Sequence, residues 1–141
     1  MAHRYVVMAS AWLEIIVGAT FITAPDVLCV LLFDVKPEGI ALPLARWLGV
    51  GLLGLGIASL PSKDWESRRN AVGGLFVFNA GVTVLVAWVG VVMPAHGYLL
   101  WPVAILHAVI VVALLPQLLA SKGSLNAASS LQDAARRNEL K

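Results

Sequence analysis

Four stretches of about twenty mostly apolar residues dominate the chain: Tyr5 to Ala24, Leu42 to Leu60, Asn70 to Met93 and Leu99 to Leu119. A helix rises about 1.5 Å per residue, so each is long enough to cross a hydrocarbon layer about 30 Å thick. In hydrocarbon every backbone N–H and C=O must be bonded internally. The expected fold is therefore an all-α integral membrane bundle of four transmembrane helices. The connecting segments carry the required breaks: Pro25-Asp26, Asp34 to Glu38, Pro61 to Arg69 and Pro94 to Gly97. Composition agrees. Of 141 residues, 60% are hydrophobic and 13% charged, against roughly 45–50% and 25% in soluble domains. That balance excludes a water-soluble domain, and it equally excludes disorder, which needs low hydrophobicity and high charge.

Basic residues orient the bundle. Lys63, Arg68 and Arg69 follow the second stretch, Lys122, Arg136, Arg137 and Lys141 lie beyond the fourth, and Arg4 precedes the first. The opposite side has Lys36 alone in a loop. The positive-inside rule then places both termini in the cytoplasm, with the bundle in a plasma (inner) membrane; size and charge bias point to a bacterial source. Lys63, Arg68 and Arg69 are expected to hold lipid headgroups or to contact a partner. Trp47, Trp88, Tyr98 and Trp101 mark the outer boundary, and Tyr5 and Trp65 the inner one. A secretory signal peptide is set aside for the first stretch, because Glu14 interrupts its apolar region and Pro25 follows the plausible cleavage position.

Two shorter segments remain. Pro25 to Phe33 is apolar but too short to span. It reads as a short outer interfacial helix with Thr23 as its cap and Pro25 in its first turn. The alternative is a continuation of the first span beyond a proline kink. Residues 121–141 form a polar cytoplasmic tail, with Ser124 the expected N-cap of a short helix through Arg137.

Each span carries one residue that is costly in hydrocarbon: Glu14, Arg46, Asn79 and His107. Insertion scales assign a charged residue roughly 2.5–3.5 kcal/mol at a helix centre, so these side chains are expected to face the bundle interior. Glu14 and Asn79 lie about nine residues from one boundary and His107 about eight from the other, near the midplane. Arg46 lies only about four residues in, from where it reaches inward or out to the headgroups. A Glu14–Arg46 ion pair is the simplest neutralisation, with Asn79 and His107 bonding to it. Its competing role is purely structural, to fix the packing of four helices.

Small residues mark the faces. Ser10, Glu14 and Gly18 share one side of the first helix, with Ala11 beside them. Asn79, Thr83, Ala87 and Gly90 form a stripe on the third. On the second, Arg46 lies beside Gly49 and Gly56, while Gly51 and Gly54 open the opposite face. Gly18, Gly49, Gly51, Gly54, Gly56 and Thr83 are thus the expected helix-packing positions. His107 has apolar neighbours on its own helix, so its partner must come from another.

Catalytic signals are missing: no GxSxG, P-loop or HExxH motif occurs. One cysteine, Cys29, excludes an internal disulfide and a CxxC pair, and reads as a small apolar residue. No haem is expected, because His3 and His96 lie outside the spans and leave His107 alone. No metal is expected either, since Glu14 and His107 lack a third ligand. A scattered net charge of +2 gives no nucleic-acid footprint.

The run Ala11-Trp12-Leu13-Glu14-Ile15-Ile16-Val17-Gly18 resembles the first helix of the small multidrug resistance transporters. The resemblance implies a membrane-embedded glutamate that exchanges protons for cationic substrates in a dimer. It covers these eight residues alone and then fails: Arg46 has no counterpart in that family's second span, and this chain is longer, with an extra outer segment and a polar tail. The expected role is a non-catalytic accessory or scaffold subunit, with membrane lipid and other integral membrane subunits, or its own copies, as partners. The alternative is a small oligomeric proton-coupled transporter or ligand carrier, with Glu14 as its titrating group. A membrane enzyme component handling a lipid or quinone through His107 is a third reading.

Overall fold

Long apolar runs bounded by proline and glycine can satisfy their backbone in lipid only as helices. A computed structural model describes residues 2–60, 65–93 and 96–139, with side chains described at 5–60, 69–93 and 96–119. It contains helices α1 (Ala2–Thr23), α2 (Pro25–Phe33), α3 (Ala41–Ala58), α4 (Trp65–Val92) and α5 (Leu100–Glu139). No strand occurs among the described residues. Among the described residues, four segments are long and apolar enough to cross a membrane: Tyr5–Thr23, Ala41–Ala58, Arg69–Val92 and Leu100–Leu119. This is the architecture of a multi-pass membrane protein. Three threonines within the spans bond back to their own helices, which satisfies their hydroxyls in a dry environment. Thr20, Thr23 and Thr83 each donate to the carbonyl four residues earlier, at 2.8, 2.9 and 2.8 Å.

Two boundaries differ from the sequence expectation. Thr23 does not cap α2. It closes α1 with its hydroxyl turned back to Ala19, and the break falls at Ala24 (φ −140°, ψ 60°). Pro25 follows in the first turn of α2, where its missing N–H costs nothing. Ser124 does not start a separate helix, since α5 runs unbroken from Leu100 to Glu139 with Pro116 inside it. Extending an existing helix fixes one residue per hydrogen bond, whereas a new one must first be nucleated.

The spans assemble as two antiparallel pairs, α1 with α3 and α4 with α5, and α1 lies between α3 and the α4–α5 pair. Glycine brings α1 and α3 into backbone contact. A Cβ on Gly18 would stand 2.7 Å from the Gly49 carbonyl oxygen, one on Gly49 2.7 Å from that of Gly18, and one on Gly56 2.7 Å from that of Ala11. Near the termini Val7, Val72, Leu75, Ile110 and Leu114 form one core cluster. Toward α2, Phe21, Leu32 and Leu52 form a second, with Val17, Phe78 and Val103 packed on it.

α2 is tied down at its C-terminal end. The Gly97 N–H donates to Leu32 O at 3.1 Å and the Leu99 N–H to Leu31 O at 2.9 Å, so the α4–α5 connection satisfies carbonyls that α2 leaves open. Asp34 ends the helix in the left-handed region (φ 57°), its N–H bonded to Val30 O. Cys29 is half-buried on this helix. Burial, and secondarily the charge of Asp26, pushes its thiol above the ordinary range. Asp26→Asn removes the negative charge, favours the thiolate and should speed maleimide labelling of Cys29 several-fold near pH 8. An unchanged labelling rate, read by mass spectrometry, would contradict this coupling.

Candidate functional site

α1 and α4 run in the same direction and α5 runs opposite, so equal steps from the terminal cluster reach equal depth. Two turns from Val7 lies Glu14, two turns from Val72 lies Asn79, and two turns back from Leu114 lies His107. Two turns advance about 10 Å and return to nearly the same face. The three polar side chains thus occupy one level of the bundle, between the two core clusters. All are buried: Glu14 is 1% exposed, Asn79 0% and His107 8%.

Their bonds are mostly local. Asn79 hydrogen-bonds the Glu14 carboxyl, and its Nδ2 donates to Leu75 O at 2.7 Å. The Nδ1 of His107 lies 2.9 Å from Val103 O. A carbonyl can only accept, so Nδ1 carries the proton and Nε2 of the neutral ring is the acceptor. The ring also meets Phe78, with centroids 6.4 Å apart and planes tilted by 58°. Four buried side-chain oxygens have no hydrogen-bond partner among the described residues: Ser10 Oγ, Glu14 Oε1, Ser59 Oγ and Asn79 Oδ1. Buried polar atoms are normally bonded, so a group of four marks this part of the fold as unusual.

Arg46 does not join the layer. It is exposed on α3, and the expected ion pair with Glu14 is not formed. The glycine contacts give the reason. With Gly49 against Gly18 and Phe21, and Gly56 against Ala11 and Ile15, the α3 position level with Glu14 is near Leu55. Arg46 then lies level with Thr23, about 13 Å further along the helix axis. A guanidinium at the end of a span reaches polar surroundings more cheaply than a midplane carboxylate.

The other expected positions divide. Gly18, Gly49 and Gly56 make the α1–α3 contact, whereas Gly51 and Gly54 are exposed, with no atom of the described residues within 4 Å of where a Cβ would stand. Thr83 is half-buried and bonds the Asn79 carbonyl of its own helix instead of crossing to another. Arg69 is half-buried at the start of the α4 span. Lys63 lies outside the described residues and Arg68 outside the described side chains. Sequence reasoning put Ser10 on the Glu14 face but passed over Ser59 and Gly97. Ser59 was accessible to the same logic, standing one turn beyond Gly56. Gly97 was not, because its neighbour is the backbone of α2. Comparison with protein families, with curated proteins and with solved structures finds no match to this chain.

Proposed function

We propose that the chain is a small proton-coupled membrane carrier in which Glu14 gains and loses the transported proton. One observation carries this reading: a carboxyl at the middle of the bundle, 1% exposed, with Oε1 unpartnered and the expected arginine elsewhere. A lone carboxylate in hydrocarbon is tolerable only with a proton or a cation beside it. A group obliged to exchange one for the other is the working part of a coupled carrier. Asn79 orients the carboxyl, and the free Nε2 of His107 supplies an acceptor at the same depth. In this reading the termini and Arg69 face the cytoplasm, α2 lies along the outer surface, and Arg46 and Trp47 meet the outer headgroups. Several copies act together in the plasma membrane. Proteoliposomes under a pH gradient test it: Glu14→Gln should cut dye-reported proton flux at least tenfold. Flux equal to that of the unmodified protein would overturn the reading.

A second reading, an accessory subunit of a larger membrane complex, is favoured by the exposed Gly51 and Gly54 on α3. Small residues suit close approach of another helix in lipid. Mild extraction from the native membrane should then recover stoichiometric foreign subunits, with Glu14→Gln innocuous.

A further inference from the structure

The unpartnered oxygens are not scattered. Ser10 and Glu14 stand one turn apart on the same face of α1, and Asn79 of α4 bonds the Glu14 carboxyl. The register set by the glycine contacts, continued one turn past Gly56, puts Ser59, the C-cap residue of α3, level with Ser10. α1, α4 and the C-terminal cap of α3 therefore place all four buried, unpartnered side-chain oxygens among the described residues at two adjacent levels of the bundle. None of the four residues is more than 2% exposed.

We propose that Ser10, Glu14, Asn79 and Ser59 form an oxygen-lined site for one sodium ion, taken up as the proton on Glu14 leaves. The proposal rests on the carrier reading and names its coupling ion. One carboxylate, one amide carbonyl and two hydroxyls are hard donors, suited to a hard cation and not to a thiolate- or imidazole-seeking metal. Charge selects the valence. A single carboxylate balances a monovalent ion, whereas a divalent one would leave a net positive charge in hydrocarbon. The exchange is neutral: the carboxyl loses a proton, the resulting carboxylate gains a sodium ion, and the site's charge is unchanged.

Among the described side chains, no other charge competes at that depth. From α5 the layer meets His107, whose Nδ1–H is committed to Val103 O. Arg46 of α3 is exposed at the far end of its span, Arg69 of α4 stands at the start of its own, and Asp26 of α2 is exposed. The two serines complete what Glu14 and Asn79 begin.

The test uses the purified full chain in nanodiscs, with sodium, potassium or choline chloride at equal ionic strength. Sodium should raise the unfolding temperature saturably at pH 8, choline should not, and acidification to pH 5 should abolish the sodium effect. Glu14→Gln should remove the sodium response, and Ser10→Ala and Ser59→Ala should each weaken apparent sodium affinity at least fivefold. Equal stability of the unmodified protein in sodium and choline overturns the site, as does a sodium response that survives Glu14→Gln. Proton flux measured in parallel separates the two ideas. A Glu14-dependent flux indifferent to sodium sinks the sodium site and leaves the carrier standing, while loss of both effects sinks both.

Discussion

Gly56→Leu should drive α1 and α3 apart. A Cβ at this position already lies 2.7 Å from the Ala11 carbonyl oxygen and 2.9 Å from the Ile15 backbone nitrogen, so the first added carbon meets main chain that no rotamer change can move. Overpacking in a well-packed core typically costs 1–3 kcal/mol, more where backbone must shift. A leucine adds three further carbons to that misfit. We expect a loss of about 3 kcal/mol or more, on the order of a hundredfold in the folding equilibrium. Denaturation of the detergent-solubilised protein, followed by tryptophan fluorescence, measures it. Gly54→Leu is the matched control, since nothing lies within 4 Å of its built Cβ. It should stay within about 0.5 kcal/mol of the unmodified protein. Similar costs at the two positions would refute the glycine-mediated contact. They would also refute the register that places Ser59 level with Ser10 and Arg46 away from Glu14.

Gly97→Val should release α2. The glycine is buried against the end of that helix, and a Cβ would fall on the Leu31 carbonyl. The connection must withdraw, and the bonds from the Gly97 and Leu99 N–H groups to Leu32 O and Leu31 O go with it. Each bond contributes about 1 kcal/mol net, and leaving its buried partner unmade costs roughly 1–3 kcal/mol. With the steric term added, local docking should weaken by about 3 kcal/mol. Cys29 reports the change: its thiol is half-buried beside α1 in the docked helix, so its maleimide labelling should accelerate at least tenfold. Labelling at the original rate would show that α2 is held by its side-chain contacts alone. The α1–α3 pair does not involve Gly97, and its stability should follow Gly56 and not this substitution.

The two glycine predictions and the polar layer share one cause. Without a hydrophobic drive between helices, contact in lipid depends on close backbone approach and on polar groups that find one another. Gly18, Gly49 and Gly56 supply the first on α1 and α3. Glu14 and Asn79 supply the second between α1 and α4. The packing also leaves four oxygens unpaired, and that residue of unmet bonding is what separates a candidate ion site from a mere brace.

Read alone, the chain determined whatever depends on one helix at a time. Four helices long and apolar enough to span follow from segment length and apolar content, and the break before α2 follows from Pro25, because both are local properties of the backbone. The burial of Glu14, Asn79 and His107 was legible too, since exposure to lipid would be costly at each position whatever its neighbours. Pairing was not. Whether Arg46 could meet Glu14 depended on how far α3 slides along α1, and one helix's sequence carries no information on that offset. Contact between Gly18 and Gly49 set it, and the arginine came to rest level with the end of α1. Ser59 came level with Ser10, and Gly97 met α2, through the same kind of contact between segments distant in the chain.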